Sequence, residues 1–400
     1  MTERLYYSDS YLLEFTATVQ ARETRGENRA VILDRTAFYP ASGGQPGDTG
    51  MLGPARVLDV EETASGDVVH LLDAPLPAGS VTGHVDWERR FDHMQQHSGQ
   101  HVLSQAFLRT AGAETASFHL GRETSTIDIT LARPSPDQVR AAEALATRIV
   151  FEDRQVSVIN ARPEDLIGLG LRKEPSRQGE IRVIDIEAFD RSPCGGTHVR
   201  RTGEIGLIAV IGWEHYKGMT RVEFVCGGRA LEALRKARDL LDQLSSHFSA
   251  HPSDLPRLAE KLLDERSRLQ KEVTRLTEDM LEIEALEMLN SADKTTRPIT
   301  VCRNYDRRDL ESIKILARNL TARSGVIAVL GTVQDSAQVV VAKSGDVPGD
   351  CGLAVRQAIA ALGGRGGGKT DMAQAGGVPR EKLSAWSDAI VSHFRDYPHR

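Results

Sequence analysis

Two short stretches decide how this chain folds: His97-Ser98-Gly99-Gln100-His101 and, much later, Cys194-Gly195-Gly196-Thr197-His198. In the first, residues four apart lie on one face of a helix, so both imidazoles can point at one ion. In the second, two glycines let the backbone turn tightly, so that a thiolate and an imidazole can converge. Each stretch by itself is explained equally well as ordinary surface residues that bind no metal. Together they match the ligands of tetrahedral zinc, so we predict a Zn²⁺ site made of His97, His101, Cys194 and His198.

Composition and charge limit the class of protein. The chain has 400 residues, 40% hydrophobic and 26% charged, as in globular proteins of about two to three domains. Its formal net charge is −6, so any contact with RNA has to be a local basic patch. The 4 cysteines are scattered and include no C-x-x-C pair, which argues against a disulfide framework.

The N-terminus carries no recognisable targeting signal. Residues 1–15 include acidic and basic side chains and lack the apolar core of a signal peptide. No apolar run in the sequence reaches the roughly 18 residues of a membrane span. We therefore expect a cytoplasmic protein that makes no contact with membranes.

Residues 1–90 are predicted to form a small N-terminal β-barrel. Short apolar segments such as 56–60 and 68–72 are separated by Gly, Pro and Asp, which is typical of strands joined by turns. Residues 34–50 are rich in glycine, which predicts a loop with unusual dihedral angles. A Phe-Tyr pair and two prolines in this loop favour a packed, stiff loop over a flexible surface turn.

Residues 91–228 are predicted to form an α+β domain that carries the metal site. Apolar residues and histidines recur at three- and four-residue steps, which predicts a helix over 89–110. Alternating apolar residues predict a hairpin over 117–131, and Pro136 opens a second helix. Helices combined with mostly antiparallel strands define the α+β fold class.

Residues 229–292 are predicted to form a helical, coiled-coil arm. Apolar residues repeat at alternating steps of four and three between charged flanks, with one polar exception at Arg266. An amphipathic helix lying on the protein's own core is the alternative explanation. The pattern favours pairing, either within one chain or in a homodimer formed through this arm or through the C-terminal domain.

Residues 293–400 alternate apolar, β-branched segments with helical ones, which predicts an α/β domain. The domain includes a segment from Gly363 to Gly377 with seven glycines. Glycines beside cations give a backbone that a phosphate can approach closely, although a plain turn before the last helix is the alternative. We predict that this glycine-rich loop contacts RNA through Arg365, Gly366, Gly367, Gly368 and Lys369.

Taken in order, the motifs resemble those of the alanyl-tRNA editing domain, which occurs inside alanyl-tRNA synthetases and in free-standing AlaX proteins. The matching motifs are Phe38-Tyr39-Pro40, Gly43-Gly44-Gln45, Asp48-Thr49-Gly50, the H-x-x-x-H pair and the Cys-Gly-Gly-Thr-His stretch. The glycine segment near the C-terminus is similar to the DHH-associated domain of alanyl-tRNA synthetases. The resemblance covers nearly the whole chain. Because its Phe-Tyr-Pro motif begins at residue 38, no room remains for an aminoacylation domain, and the chain resembles the long form of AlaX.

This resemblance implies a hydrolase that deacylates tRNA(Ala) mischarged with serine or glycine, without ligase activity. It implies that Thr36, just before Phe-Tyr-Pro, recognises the serine hydroxyl, since a site that binds a hydroxyl rejects the analogue lacking it. Gly44 and Gln45 would lie beside the ester. Arg221 matches an arginine near the end of the editing domain, where either an ion pair or a contact with a phosphate of the terminal adenosine fits.

The number of zinc ligands leaves the role of the metal open. Four protein ligands form a closed, structural site, whereas catalytic zinc keeps one position open. A catalytic role would need one of two arrangements. Either one protein ligand binds weakly and leaves its position to a substrate, with His198 as the candidate because it ends the loop, or the ion takes the substrate as a fifth ligand. With four protein ligands in place the ion is mainly an anchor, and selectivity falls to Thr36 and Gln45.

Three other functions compete with editing of tRNA(Ala). A DHH-type phosphoesterase is disfavoured, because only Asp92-His93-Met94 approaches the Asp-His-His cluster that such enzymes need. A threonyl-type editing domain has a similar His/Cys set, but the Gly-Gly-Gln motif and the C-terminal glycines favour the alanine system. The remaining alternative is a non-catalytic, zinc-stabilised module that binds tRNA or a synthetase.

Overall fold

The computed structural model describes residues 1–25, 28–77, 79–162, 165, 168–173 and 181–395. Contacts divide the chain into two compact units, Met1–Ser246 and His247–Arg400. The first contains a barrel, helices and antiparallel sheets, and the second is an α/β domain, which confirms the predicted α+β class. The finer division into four domains stays a prediction. Among the described residues, no helix has the length and apolar character needed to cross a membrane.

Short elements make up the first part of Met1–Ser246. They are β1 (Glu3–Arg4), α1 (Leu5–Ser8), β2 (Glu14–Arg25), β3 (Asn28–Leu33), β4 (Arg35–Thr36), β5 (Gly50–Leu52), β6 (Ala55–Glu62), β7 (Val68–Leu72) and β8 (Ser80–Val85). Strand β1 pairs in parallel with β4. Strands β2, β3, β7, β6, β5 and β8, in that order, close into an antiparallel barrel, as predicted.

The barrel is filled by side chains that alternate with exposed ones along its strands. In β2, Phe15 and Ala17 are buried and their neighbours are exposed, because successive side chains of a strand point to opposite faces. Gly83 of β8 makes room for Phe15, since a Cβ at Gly83 would lie 2.4 Å from Phe15 Cε1. Phe38, from the loop after β4, joins this core. The loop is therefore packed, as the sequence indicated.

The rest of the first unit combines helices with two antiparallel sheets. Its elements are α2 (Trp87–Ala111), β9 (Thr115–Leu120), β10 (Ser125–Ile129), α3 (Pro136–Phe151), β11 (Val156–Ala161), β12 (Ile181–Ile186), β13 (Asp190–Pro193), β14 (Ile208–Tyr216), β15 (Met219–Cys226) and α4 (Gly227–Phe248). The sheets have the strand orders β14-β15-β10-β9 and β11-β12-β13. Helix α2 packs against α3 and both cover the first of these sheets.

Helix α2 buries polar as well as apolar side chains. Asp86 accepts a hydrogen bond from the N–H of Arg89 and caps the start of the helix, and Gly112 ends it with a φ of 63°. The fully buried Arg90 pairs with the fully buried Asp48 and donates to the carbonyl oxygen of Ala37. Buried polar groups need such partners. The loop after β4 is thus fixed on α2, the helix that also carries His97 and His101.

The second unit, His247–Arg400, is a five-stranded sheet with helices on both faces. Its elements are α5 (Leu255–Ser291), β16 (Ile299–Asp306), α6 (Leu310–Thr321), β17 (Val326–Val333), β18 (Ala337–Lys343), α7 (Cys351–Leu362), β19 (Arg365–Gly368), β20 (Met372–Val378) and α8 (Leu383–Arg395). The strand order is β16-β17-β18-β20-β19, with β16 and β17 parallel. Helices α5 and α6 contribute to the core on one face, and α7 and α8 to the core on the other.

The glycine segment of the second unit is a β-hairpin, so the predicted loop is wrong in its conformation. Strand β19 pairs with β20 from Arg365 opposite Gly376 to Gly368 opposite Ala373. The glycines let the two strands approach closely: a Cβ at Gly366 would lie 2.2 Å from the carbonyl oxygen of Gln374. The glycine run therefore serves strand pairing at the sheet edge as well as any contact with a ligand.

Candidate metal centre and adjoining cleft

Four side chains of the types that bind zinc converge in the first unit. His97 and His101 lie on α2, and Cys194 and His198 follow β13; their ligand atoms all lie within 4.8 Å of one another. Cys194 Sγ is 3.4 Å from His97 Nε2 and 3.3 Å from His198 Nε2. A tetrahedral zinc ion at ordinary Zn–S and Zn–N distances would separate such atoms by about 3.5 Å. The residues therefore fit a zinc ion.

Each histidine is held through Nδ1, which leaves Nε2 for a metal. His97 Nδ1 is 2.8 Å from Gln45 Oε1, and His198 Nδ1 is 3.1 Å from Ser98 Oγ. His101 Nδ1 is 3.2 Å from Asp190 Oδ2. Such hydrogen bonds fix the tautomer and the ring orientation of metal-binding histidines.

The electrostatics favour the charged forms that bind a cation. Burial raises the pKa of the Cys194 thiol, but electrostatic interactions with His97 and His198 and hydrogen bonds from His101 and His198 outweigh burial and bring it well below its ordinary value. Thiolate is the form that ligates zinc. Burial likewise raises the pKa of Asp190, but the hydrogen bond with His101 and the charge of Arg172 lower it to about 2. Asp190 is therefore an anion behind His101.

The segment from Cys194 to His198 is held against α2 by close contacts. A Cβ at Gly196 would lie 2.2 Å from His97 Cε1, so only glycine fits there. Arg182 of β12 donates through Nη1 to the carbonyl oxygens of Cys194, at 2.8 Å, and of Gly196, at 2.9 Å. The sequence did not single out Arg182, because its role depends on contacts between distant residues.

Gln45 hydrogen-bonds to the metal-binding elements through both polar atoms of its side chain. It is buried, its Nε2 donates to Thr197 Oγ1 at 2.8 Å, and its Oε1 accepts from the N–H of Thr197 at 3.2 Å as well as facing His97. Its neighbour Gly44 has a φ of +85°, and its carbonyl oxygen accepts from the N–H of Leu120 at 3.0 Å. Gln45 thus attaches the loop after β4 to the metal-binding elements, and Gly44 attaches it to β9.

Thr36 is fully buried at the end of β4, and it is not among the residues that line the adjoining cleft. Its Oγ1 is 2.8 Å from His70 Nε2 and accepts from the N–H of Phe38 at 3.1 Å. His70 Nδ1 is 3.3 Å from the carbonyl oxygen of Val31, which can only accept. The proton of neutral His70 is therefore on Nδ1, and Thr36 donates its own proton to Nε2.

The predicted RNA-binding residues lie in two places. Arg221 on β15 pairs through two nitrogens with Asp128, at 2.8 and 3.0 Å, which is the ion pair that the sequence offered as one of two roles. Arg365 and Lys369 are exposed in the second unit, and Gly367 and Lys369 line a cleft of about 670 Å³. The sequence missed Lys314 and the other cations of that cleft, Arg318 and Lys343.

A second cleft, of about 820 Å³, adjoins the metal centre. It is lined by His97 and Cys194 and also by residues that come from the N-terminal segment and from the loop after β4. Among these are Tyr6, Tyr7, Tyr39 and Pro40. Its size is in the range of small-molecule sites. A substrate bound there would lie next to the metal ligands.

Comparisons with known protein families agree with these features. The family model "Threonyl and Alanyl tRNA synthetase second additional domain" matches residues 181–223, which include two of the four zinc-type ligands. The model "tRNA synthetases class II (A)" matches residues 3–89, and the DHHA1 domain matches residues 299–395. The models thus cover parts of both units.

Whole-chain relatives point the same way. "Alanyl-tRNA editing protein AlaX-L" of Pyrococcus horikoshii is 31% identical over 99% of this chain and 100% of its own length. "Alanine--tRNA ligase" of Pyrococcus furiosus is 31% identical over 93% of this chain, and that of Methanoculleus marisnigri is 33% identical over 96%. In both ligases the match covers 42% of the relative's own length.

Proposed function

The chain belongs to the family of the alanyl-tRNA editing proteins, and we propose that it hydrolyses the ester of tRNA(Ala) mischarged with serine, with glycine as a second substrate. The observation that carries the proposal is the cleft lined by His97 and Cys194, which lies beside four side chains arranged for one metal ion. Editing by this family implies a hydrolase that acts on aminoacyl-tRNA(Ala). The proposal adds which amino acid is released from the mischarged tRNA, namely serine and, second, glycine.

An aminoacyl ester is already activated, so its hydrolysis needs a positioned water and stabilisation of developing charge. A zinc ion bound by the four ligands would supply positive charge beside the ester and would tie the Cys194–His198 segment to α2. Because four protein ligands fit a closed site, we assign recognition of the amino acid to protein side chains. Gln45 positions His97 and Thr197, and Gly44 holds the loop that carries Gln45.

Thr36 is the proposed recognition group for the serine hydroxyl. Burial lowers the pKa of His70 to about 4, so His70 stays neutral at physiological pH and accepts the Thr36 proton. The oxygen also accepts from Phe38, and one acceptor site remains on it. We propose that this acceptor site receives the hydrogen bond of a serine hydroxyl, which the methyl group of alanine cannot make. Because Thr36 is fully buried and does not line the cleft, binding of the substrate has to expose its oxygen.

Rates of deacylation of Ser-tRNA(Ala), Gly-tRNA(Ala) and Ala-tRNA(Ala) test this function. We expect the wild type to release serine much faster than alanine, and Thr36→Val to reduce that preference about tenfold because the hydrogen bond to the serine hydroxyl is removed. Thr36→Ser keeps the hydroxyl and is expected to keep the preference.

Two results would contradict the proposal. Equal serine preference in the wild type and Thr36→Val would remove Thr36 from recognition. No release of serine by the zinc-loaded wild type would favour the second candidate function, a non-catalytic, zinc-stabilised module that binds tRNA or a synthetase. The four-ligand geometry, which suits a structural zinc ion, is the observation that supports this candidate.

The second unit is the proposed tRNA-binding part, through Arg365, Gly366, Gly367, Gly368 and Lys369. The exposed cations of the β19–β20 hairpin and the cations of the cleft beside it support this assignment. Arg221 is proposed to act mainly by holding Asp128, because both of its bidentate contacts are directed to that carboxylate.

Pairing of two copies through α5 is also proposed. Apolar side chains on the heptad pattern of this helix remain between 47% and 70% exposed. They are Leu262, Leu269, Val273, Leu276, Met280 and Ile283. An apolar seam of this kind is buried when two helices pack as a coiled coil. Pairing through the rest of the second unit is the other arrangement that would give a homodimer.

A further inference from the structure

Two buried hydrogen-bond donors without partners belong to residues that line the cleft beside the metal centre. Within the part of the chain that the structure describes, the Tyr6 hydroxyl and Arg182 Nη2 are buried and make no hydrogen bond. An unpaired buried donor costs stability, so such groups are rare in folded proteins. Two of them at one cavity indicate a place for a ligand that accepts hydrogen bonds.

Arg182 carries a positive charge there, and the Cys194 thiolate is the anion that interacts with it most strongly. Its Nη1 is used by two carbonyl oxygens of the metal-binding segment, and its Nε is 3.4 Å from the carbonyl oxygen of Tyr7. Burial lowers the pKa of Arg182, yet arginine remains charged at neutral pH. No carboxylate among the described residues forms an ion pair with it. A guanidinium held by neutral carbonyl groups, with one nitrogen unused, is suited to bind an anion.

The Tyr6 side chain is held in place in the wall of the same cleft. The ring of Tyr6 is fully buried and packs edge-on against Tyr7 and Tyr39, with centroid distances of 4.9 and 5.3 Å. Burial raises the pKa of Tyr6 far above its ordinary value, so the hydroxyl keeps its proton and can donate it. The partly buried Tyr7 contacts both residues, since its ring centroid is 5.4 Å from Arg182 Cζ.

We propose that Arg182 Nη2 and the Tyr6 hydroxyl bind the phosphate on the 5′ side of the terminal adenosine of the tRNA. This inference rests on the proposed function, which locates the aminoacyl ester at the metal centre. The phosphate is the anion closest to that ester along the RNA, one ribose away. The other nearby groups fit less well, because the amino group of the amino acid is a cation and the adenine base is neutral.

Binding of 5′-AMP and of adenosine, measured by calorimetry on the zinc-loaded full chain, tests the phosphate site without any hydrolysis. We expect wild type to bind 5′-AMP about tenfold or more tightly than adenosine, as for a hydrogen-bonded charge pair. Tyr6→Phe, which removes only the unpaired hydroxyl, is expected to lose most of that difference. Arg182→Gln is expected to remove it.

Thr220→Val is the matched control, because Thr220 also carries a buried, unpartnered hydroxyl but does not line the cleft. It should keep the wild-type preference for 5′-AMP. Equal binding of 5′-AMP and adenosine by the wild type, or an unchanged preference in Tyr6→Phe, would overturn the proposal.

Hydrolysis of two serine esters then separates phosphate binding from other roles. We expect Tyr6→Phe to raise KM about tenfold for 2′(3′)-O-seryl-AMP and to leave KM and kcat for 2′(3′)-O-seryl-adenosine unchanged. Equal losses on both esters would overturn the proposal and assign these donors to the reacting carbonyl or to the structure of the loop. If the wild type prefers 5′-AMP but hydrolyses neither ester, the proposed function fails and the phosphate site stands.

Discussion

At the scale of single residues, Gly196 sets how closely the metal-binding segment approaches α2. A Cβ at this position would lie 2.2 Å from His97 Cε1 and 2.8 Å from Gln45 Oε1, whereas a Cβ at Gly195 would meet only Tyr7, with its Oη at 3.5 Å. Adjacent glycines in one motif therefore carry different constraints. Gly196 is required by contact with a zinc ligand, and Gly195 has room for a methyl group.

Substitution of these glycines by alanine should separate their roles. We predict that Gly196→Ala displaces His97 from Gln45 and weakens zinc binding about 10- to 100-fold, as when groups that orient a ligand are removed. Gly195→Ala should bind zinc as the wild type does. Competition with a chromophoric chelator measures both affinities. Similar zinc affinities for the two variants would contradict this prediction, because they would show that the segment makes room for a Cβ at Gly196 without weakening zinc binding.

The sequence predicted the four side chains that the structure brings together, because the spacing within each pair depends on local geometry. Residues four apart on a helix and a glycine turn between Cys and His are readable from the chain alone. The sequence did not reveal that Gln45 supports His97, since that contact joins residues 52 positions apart. Arg182 and Tyr6 were missed for the same reason. Only the folded structure shows that Arg182 Nη2 and the Tyr6 hydroxyl lack hydrogen-bond partners.

At the scale of elements, helices were predicted better than the glycine segment. Helix α3 begins at Pro136, as predicted, because its apolar period and its N-terminal proline agree. The run from Gly363 to Gly377 reads locally as a loop, yet much of it forms the β19–β20 hairpin. Pairing of β20 with β18, and of the edge strand β19 with β20, outweighs the weak strand preference of glycine.

The hairpin gives the proposed RNA-binding part a defined surface, and removal of its charges should weaken tRNA binding. We predict that Arg365→Ala with Lys369→Ala lowers affinity for tRNA(Ala) and reduces the slope of log affinity against log salt by about 1 for each phosphate that is no longer bound. Filter binding at several salt concentrations measures this. Lys294→Ala removes an exposed cation of the same unit outside the hairpin and is the control. An unchanged salt slope in the double variant would exclude the hairpin from tRNA binding.

At the scale of the whole molecule, chemistry and the proposed tRNA binding are assigned to different units. The metal centre and its cleft lie within Met1–Ser246, whereas the exposed glycine hairpin lies within His247–Arg400. The proposed pairing of two copies is assigned to α5, also in the second unit. The same order of parts is a prediction from the sequence, in which motifs and composition change along the chain.

The most direct test of the central claim is the rate of serine release from Ser-tRNA(Ala) by zinc-loaded, metal-stripped and zinc-restored protein. We predict that hydrolysis stops on stripping and returns with zinc, because His97, His101, Cys194 and His198 then draw the Cys194–His198 segment back to α2. Cys194→Ala should stay inactive with added zinc, and Cys302→Ala, which alters an exposed cysteine of the second unit, should behave as wild type. Serine release that persists in fully metal-free protein, or in Cys194→Ala, would contradict the proposed role of the metal centre.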